Sequence, residues 1–160
     1  MSKLNQGLLL ISKIENNQFR DLGEINLQML LDKTTEHFEE MIDHRKISVS
    51  KNYQYDVRLN MNPALAEIFI TNMVSNAIRH NIVQGRIDIN VMQDYFSITN
   101  TGQMMKTDPT DLFERFRKSG NNPDSVGLGL SIVQKIANLY NMKVEYLYCD
   151  GLHTLKVSYF

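Results

Sequence analysis

The stretch that decides the fold is Ser125-Val126-Gly127-Leu128-Gly129-Leu130, where two glycines lead into an apolar run that starts at Ile132. The spacing of that run predicts a helix to about Asn141. Glycines at a helix start leave backbone N–H groups unshielded, and the helix dipole adds partial positive charge there. The combination suits phosphate binding, although glycines at such a junction also serve simply as a tight turn.

Three other motifs precede this stretch, and their order carries more information than any one of them. They are an asparagine pair within residues 72–80, a strand end that runs into a glycine at residues 98–102, and the sequence Phe-Glu-Arg-Phe at residues 113–116. Together the four motifs resemble the ATP-binding catalytic domain of bacterial sensor histidine kinases. That domain belongs to the GHKL superfamily, whose Bergerat fold is shared with DNA gyrase, MutL and the heat-shock chaperone ATPases.

The resemblance covers residues 24–160, and the preceding segment also resembles this family. Residues 4–19 carry an apolar helical face that lacks a partner inside its own segment. The resemblance implies that residues 1–20 are the end of a dimerisation and phosphoacceptor helix with its linker. The residues that follow, 21–24, are predicted to form a short break before the ATP-binding catalytic domain.

Composition narrows the class of protein. The chain has 160 residues, of which 42% are hydrophobic and 22% charged, as in a soluble globular domain. A net charge of −1 gives no electrostatic reason to expect nucleic acid or membrane contact by this segment. The single Cys149 indicates a reducing compartment, and no apolar run approaches the roughly 20 residues that span a bilayer.

The pattern of elements predicts an α+β fold, a two-layer sandwich in which about three helices cover one face of a mixed sheet. Helices are predicted at residues 4–19, 28–45, from Asn62-Pro63 onward, and up to residue 141. Strands are predicted at residues 25–27, 47–49, 56–59, 86–92, 95–99, 144–149 and 152–159, the last two joined by a hairpin at Asp150-Gly151.

Asn72 and Asn76 lie four residues apart, on one helix face that Arg79 shares. Amides in an apolar helix need partners, so this pair is either two satisfied amides or a ligand site. The resemblance implies that Asn76 is a Mg²⁺ ligand beside ATP, with Asn72 assisting. It also implies that Arg79 faces phosphate oxygens and that His80 hydrogen-bonds there.

The residue at position 72 distinguishes ATP hydrolysis from phosphoryl transfer to an acceptor. In the hydrolytic relatives, a glutamate four residues before the metal-binding asparagine is the general base for water. An amide such as Asn72 cannot take a proton near neutral pH, so efficient ATP hydrolysis is not expected. Phosphoryl transfer to an acceptor fits better, because positioning and charge stabilisation supply most of its catalysis.

The adenine end of the predicted site centres on Asn100. The family usually has aspartate here, which accepts a hydrogen bond from adenine, and an asparagine oxygen can accept the same bond. Gly102 would let the backbone approach the base, whereas Met104 stands where a second glycine is expected. Thr154 matches a family threonine near adenine, although His153 replaces a usual glycine and a purely structural hairpin is the alternative.

Residues 103–124 are predicted to form a long functional loop. The resemblance makes this loop an ATP lid, with Phe113 and Phe116 as its anchor and Lys118, Arg115 or Arg117 reaching phosphate; a small satellite core is the alternative. By the same resemblance, the backbone of the glycine run binds ATP, which adds four residues to the predicted site: Gly127, Leu128, Gly129 and Leu130.

None of the four histidines of the chain has the sequence context of a phosphoacceptor: His37, His44, His80 and His153. The resemblance therefore implies an acceptor on an upstream dimerisation domain, a response regulator as downstream partner and a homodimeric parent protein. This segment would be a cytoplasmic domain of a parent in the inner membrane. Two other functions stay open: a degenerate domain that only docks a partner, and a hydrolytic ATPase.

Overall fold

A mixed sheet of five strands forms one layer of the molecule, and helices form the other. The structure, a computed structural model, describes residues 2–104 and 127–159. In this part of the chain the helices are α1 (Lys3–Glu15), α2 (Leu27–His37), α3 (Glu39–His44), α4 (Pro63–Arg79) and α5 (Gly127–Leu139). The strands are β1 (Gly23–Asn26), β2 (Ser48–Tyr53), β3 (Arg58–Met61), β4 (Arg86–Val91), β5 (Tyr95–Thr101), β6 (Lys143–Cys149) and β7 (Leu152–Ser158).

The order of strands across the sheet is β2-β4-β5-β7-β6. β2 runs parallel to β4, and each other neighbouring pair in the sheet is antiparallel. Side chains alternate between the two faces of a strand, so one face of β4 buries Ile87, Ile89 and Val91 while the other carries Asp88 and Asn90. This buried face packs against the helices and sets the position of the core.

The helix layer is built around α4, which contacts α2, α5 and strand β5. α4 contributes eight buried residues to the core, among them Phe69 and Met73, which are fully buried. α1 packs against α5, and Ile14 of α1 is only 5% exposed within the same core. The predicted α+β class, with a mixed sheet covered by helices, is confirmed.

The start of α4 was correctly predicted at Asn62-Pro63. Asn62 is the N-cap, and its side-chain oxygen accepts hydrogen bonds from the backbone N–H groups of Ala64 (3.0 Å) and Leu65 (3.2 Å). Its amide nitrogen donates to the carbonyl of Asp21 at 2.9 Å. Proline fits the first turn because the N–H that it lacks would have no helical partner there.

The continuous helix predicted over residues 28–45 is wrong, because the chain breaks at Phe38 into α2 and α3. The hydroxyl of Thr34 donates to the carbonyl of Leu30 (2.8 Å), and that of Thr35 to the carbonyl of Leu31 (3.0 Å). Hydroxyls that bond back to the preceding turn bend helices, which accounts for a break directly after this pair.

The predicted first helix is too long, since α1 ends at Glu15 rather than at residue 19. Asn17 has a φ of 55°, the left-handed conformation that commonly ends helices. The predicted break at residues 21–24 is also corrected, because Gly23 and Glu24 begin β1 and pair with Met61 and Asn60 of β3.

β1 and β3 form a two-stranded sheet of their own instead of joining the main sheet. The strand predicted at 56–59 is shifted to Arg58–Met61, and the one predicted at 47–49 continues to Tyr53. The hairpin between β6 and β7 is confirmed: Asp150 and Gly151 have φ values of 47° and 78°, as a two-residue turn of type I′ requires. Among the described helices, none combines the length and apolar character needed to cross a bilayer.

Candidate functional site

A cavity of about 700 Å³ opens between the C-terminal end of α4, the end of β5 and the β6–β7 hairpin. Both polar and apolar side chains line it, and Arg45 and Arg79 bring positive charge. Its described lining is Arg45, Asn76, Arg79, His80, Asn81, Ile82, Val83, Asn100, Gln103, Met104, Leu130, Tyr146 and His153. Five of the predicted site residues therefore meet in one place: Asn76, Arg79, His80, Asn100 and Leu130.

α4 delivers three of these residues through its last turn. Asn76 and Arg79 lie on the face turned to the cavity, and His80 ends the helix with its backbone N–H bonded to the carbonyl of Asn76 at 3.1 Å. His80 is exposed at the cavity mouth, yet partial desolvation of its ring and the nearby charges of Arg79, His153 and Arg45 lower its pKa. The imidazole is thus neutral near neutral pH.

Arg45 holds the end of α4 in place. Its guanidinium donates to the carbonyl oxygens of Ile78, Arg79 (3.2 Å) and Asn81 (2.6 Å). A positive charge at a helix C-terminus interacts favourably with the helix dipole and satisfies carbonyls that have no helical partner. Arg45 therefore fixes the position of Arg79 and His80 while its charge faces the same cavity.

A second hydrogen-bond network fixes the end of β5. The side chain of Asn81 donates to the carbonyl of Arg86 (2.9 Å), and its oxygen accepts from the hydroxyl of Thr101 (2.6 Å). Thr101 in turn accepts from the backbone N–H of Arg86 at 2.9 Å. Because Asn81 is only 5% exposed, this network joins the loop after α4 rigidly to the strand that carries Asn100.

Asn100 is 4% exposed and lines the cavity. Its amide nitrogen donates to the carbonyl of Thr101 at 2.9 Å, which leaves the side-chain oxygen as the acceptor for a ligand. Next to it, Gly102 has no room for a side chain. A Cβ there would lie 2.7 Å from the ring of His153 and 2.9 Å from the carbonyl of His80.

His153 faces the cavity from β7, opposite Asn100 on β5. Its Nε2 lies 2.9 Å from the carbonyl oxygen of Gln103, and its Nδ1 is hydrogen-bonded to the hydroxyl of Tyr146. Burial and the neighbouring Tyr148 raise the pKa of Tyr146 to about 12. The Tyr146 phenol therefore stays protonated over the physiological pH range.

Asn72 does not line this cavity. Its amide nitrogen donates to the carbonyl of Ile68 at 2.8 Å, and its oxygen lies 3.2 Å from the point that a Cβ on Gly129 would occupy. Gly129 thus lets α5 approach α4 closely, while Leu128 is turned to Gly7 of α1. Gly127 begins α5, as the sequence predicted.

Thr154 lies on the other face of β7. It pairs with Thr99 of β5, and the two hydroxyl oxygens are 2.8 Å apart. The residue that faces the cavity at this point of β7 is His153. The predicted lid residues Phe113, Phe116 and Lys118 lie outside the described residues.

Several lining residues were not predicted. Arg45 and Tyr146 come from elements far from the four motifs, and no local pattern in the sequence marks them. Asn81 follows His80 directly, and a polar residue just past a predicted helix end was a usable signal for it. Ile82 and Val83 also line the cavity, and they are 45% and 65% exposed. Because they follow Asn81 directly, the same position just past the predicted helix end could have indicated them.

Comparison with known proteins identifies relatives of the chain. Residues 61–155 match the family described as histidine kinase-, DNA gyrase B- and HSP90-like ATPase. The chain is 31% identical over 147 residues to the heme sensor protein HssS of Staphylococcus saprophyticus, covering 88% of this chain and 32% of that protein. It is 28% identical over 149 residues to the sensor protein QseC of Escherichia coli K12, covering 91% and 33%. The chain thus spans about a third of the length of these curated relatives.

Solved structures share the fold. The cytoplasmic segment of the histidine kinase QseC has a TM-score of 0.75 at 23% identity, covering 98% of this chain and 93% of that one. The catalytic domain of the histidine kinase ThkA has a TM-score of 0.73 at 24% identity, covering 86% and 94%. At these identities the likeness establishes the arrangement of helices and strands.

Proposed function

Because the chain belongs to the family of histidine kinase-, DNA gyrase B- and HSP90-like ATPases, we propose that it binds Mg·ATP and donates the γ-phosphoryl group to a histidine of a separate segment. In this proposal it is the catalytic part of a sensor histidine kinase in a two-component system. The acceptor histidine lies upstream, in a dimerisation domain outside residues 1–160.

The observation that carries the proposal is the convergence of α4, β5 and α5 on one cavity. The side-chain oxygen of Asn100, a residue that is only 4% exposed, supplies an acceptor for the exocyclic amine of adenine, and Leu130 adds an apolar side chain to the lining. In the same cavity, Arg79 and Arg45 supply positive charge for phosphate oxygens. A single cavity that offers an acceptor for a base and cationic groups for phosphates fits a nucleotide.

The donor set also fits Mg²⁺. Asn76 lines the cavity. A carboxamide oxygen is a suitable Mg²⁺ ligand, and Mg²⁺ in nucleotide sites is bound by few protein ligands together with phosphates and water. Within residues 2–104 and 127–159, no three His, Cys, Asp or Glu side chains form a cluster that could hold a metal alone. When bound, Mg²⁺ would neutralise charge on the phosphates, and Asn76 is the residue proposed to hold it.

Transfer is favoured over hydrolysis by the chemistry of Asn72. Its amide nitrogen donates to Ile68 within α4, and a carboxamide cannot act as a general base for water near neutral pH. The remaining groups can position a nucleotide and stabilise charge, which is what phosphoryl transfer mainly needs.

The partners follow from this function. We propose an upstream dimerisation and phosphoacceptor domain, a homodimeric parent and a response regulator that receives the phosphoryl group. We also propose that this segment works in the cytoplasm while the parent protein lies in the inner membrane. The comparison supports this coarse picture, since the relatives include sensor proteins and a cytoplasmic segment of a histidine kinase.

Isothermal titration with a non-hydrolysable ATP analogue, with and without Mg²⁺, tests the proposal. We expect saturable binding that Mg²⁺ strengthens and that Asn100→Leu weakens, since leucine is of similar size and lacks the acceptor oxygen. Lack of binding under both conditions would favour a partner-docking module. Efficient release of phosphate from ATP by the isolated chain would favour a hydrolytic ATPase.

A further inference from the structure

The three residues that follow β5 are tied to the β6–β7 hairpin. The backbone N–H of Gly102 donates to the carbonyl of Gly151 at 3.0 Å. His153 is hydrogen-bonded to the carbonyl of Gln103, and the hydroxyl of Tyr148 reaches the sulfur of Met104 at 3.3 Å. We call residues 102–104 the strap. It forms part of the cavity wall, because Gln103 and Met104 line the cavity.

The chemistry of the partners fixes the proton on His153. The carbonyl oxygen of Gln103 can only accept, so Nε2 of His153 must carry the hydrogen and donate it across 2.9 Å. Nδ1 of the neutral ring is then an acceptor, and the hydroxyl of Tyr146 donates to it. Tyr146 therefore holds His153 in the tautomer that binds the strap.

His153 also occupies a defined place beside Asn100, the side chain proposed to bind adenine. It is the cross-strand partner of Asn100, and the two side chains project from the same face of the sheet. Its ring fills the space next to Gly102, where a Cβ would come within 2.7 Å of it. The ring thus contacts the strap and stands next to the side chain expected to bind the base.

We propose that His153 is a positioning residue for nucleotide binding, which fixes the strap beside Asn100 through its hydrogen bond to Gln103. This inference rests on the ATP-binding function proposed above and adds the residue that prepares the base end of the site. A strap already fixed in the free protein does not have to be ordered when the nucleotide binds, so affinity increases. In this chain Met104 stands where the family has a second glycine, and we assign the fixing of the strap to the side chain of His153.

The experiment compares substitutions of His153 in the full 160-residue chain. His153→Leu keeps much of the volume and loses both hydrogen bonds. His153→Gln restores them in part, because its amide can donate to Gln103 and its oxygen can accept from Tyr146. Lys156→Gln is the matched control, since Lys156 lies on the outward face of the same strand over the ring of Tyr95. Should His153→Leu fail to fold, His153→Ser replaces it, as it is too short to reach Gln103.

Each variant is titrated with ATP and with tripolyphosphate, which has the phosphates but no base. We expect His153→Leu to weaken ATP binding about tenfold, the effect of one hydrogen bond of ordinary strength. Tripolyphosphate binding should stay unchanged, and His153→Gln should recover most of the ATP affinity. An equal loss for both ligands, or unchanged ATP affinity in His153→Leu, would overturn the inference while the proposed function stands. Absence of ATP binding by the unsubstituted chain would overturn both.

Discussion

Asn76 lies near the C-terminal end of α4 and lines the cavity. Its backbone carbonyl accepts a hydrogen bond from the N–H of His80, which ends the helix. Asn76→Ala should weaken binding of ATP in the presence of Mg²⁺ by about tenfold or more, since a metal ligand is lost. The free energy of unfolding should change by less than about 1 kcal/mol, because alanine has the higher helix propensity. Calorimetric titration and urea denaturation measure the two quantities.

The control for Asn76→Ala is Ser75→Ala on the same helix, which changes a neighbouring residue that does not line the cavity. Without Mg²⁺, Asn76→Ala and the unsubstituted chain should bind ATP alike. If the variant matches the parent in both conditions, the assignment of the metal ligand fails.

Tyr146 gives the chain a specific sensitivity to alkali. Burial raises the pKa of its phenol from an ordinary 10.0 to about 12. Between these values the unfolded chain loses the proton while the folded chain keeps it, so stability from Tyr146 is complete below pH 10.0 and declines as the pH rises towards 12. The stability advantage of the parent over Tyr146→Phe should therefore shrink over this range. Urea denaturation at pH 9 and pH 11 measures it, and a constant difference would contradict the assignment.

At the scale of residues, the predictable part of the site is the part that lies within one motif. Asn76, Arg79 and His80 share a helix turn, so their spacing alone indicates that they meet. Arg45 could not be predicted, because its contact with the end of α4 joins residues 33 positions apart in sequence. His153 was noticed only as a departure from the family pattern, since its role depends on the register of β7 against β5.

Among the elements, α4 offers the sharpest test of local stabilisation. Asn62→Ala removes two capping hydrogen bonds and the bond to Asp21, and should lower the free energy of unfolding by about 1–2 kcal/mol. Asn62→Ser keeps a capping oxygen and loses the amide donor to Asp21, so its loss should be smaller. Chemical denaturation of the three proteins gives the order, and equal losses would mean that the cap contributes little.

Most elements could be predicted, since alternation and turn residues indicate β4 to β7 and the cap indicates α4. The incorrect predictions concern features that depend on local side-chain hydrogen bonds or on pairing between distant strands. The break at Phe38 arises from hydroxyls in Thr34 and Thr35 that the apolar periodicity does not record. The separate sheet of β1 and β3 follows from pairing that no local pattern specifies.

At the scale of the whole molecule, the proposed division of labour predicts how the isolated chain behaves. It should bind ATP, turn it over very slowly and not label itself from γ-labelled ATP, because none of its histidines has an acceptor's neighbours. A continuous chain that includes the dimerisation segment should acquire acid-labile phosphate on an upstream histidine. Holding donor and acceptor together can lower a barrier by roughly 7–11 kcal/mol, so the difference should be large.

Autoradiography after acid and alkali treatment distinguishes phosphohistidine from phosphoserine in this experiment. A variant of the longer chain in which the upstream histidine is glutamine is the matched control and should stay unlabelled. Labelling of His80 or His153 in the isolated chain would contradict the placement of the acceptor.

The strand order has a consequence for folding during translation. β7 lies between β5 and β6 in the sheet although it follows both in sequence, and Tyr95 pairs with Ser158. While the ribosome is still adding residues 102–151, β5 has one unpaired edge and β6 has no partner in the sheet. Such edges invite pairing with other chains, so nascent chains that stall before Leu152 should be strong clients of chaperones. The five-stranded sheet can therefore be completed only after β7 has been synthesised.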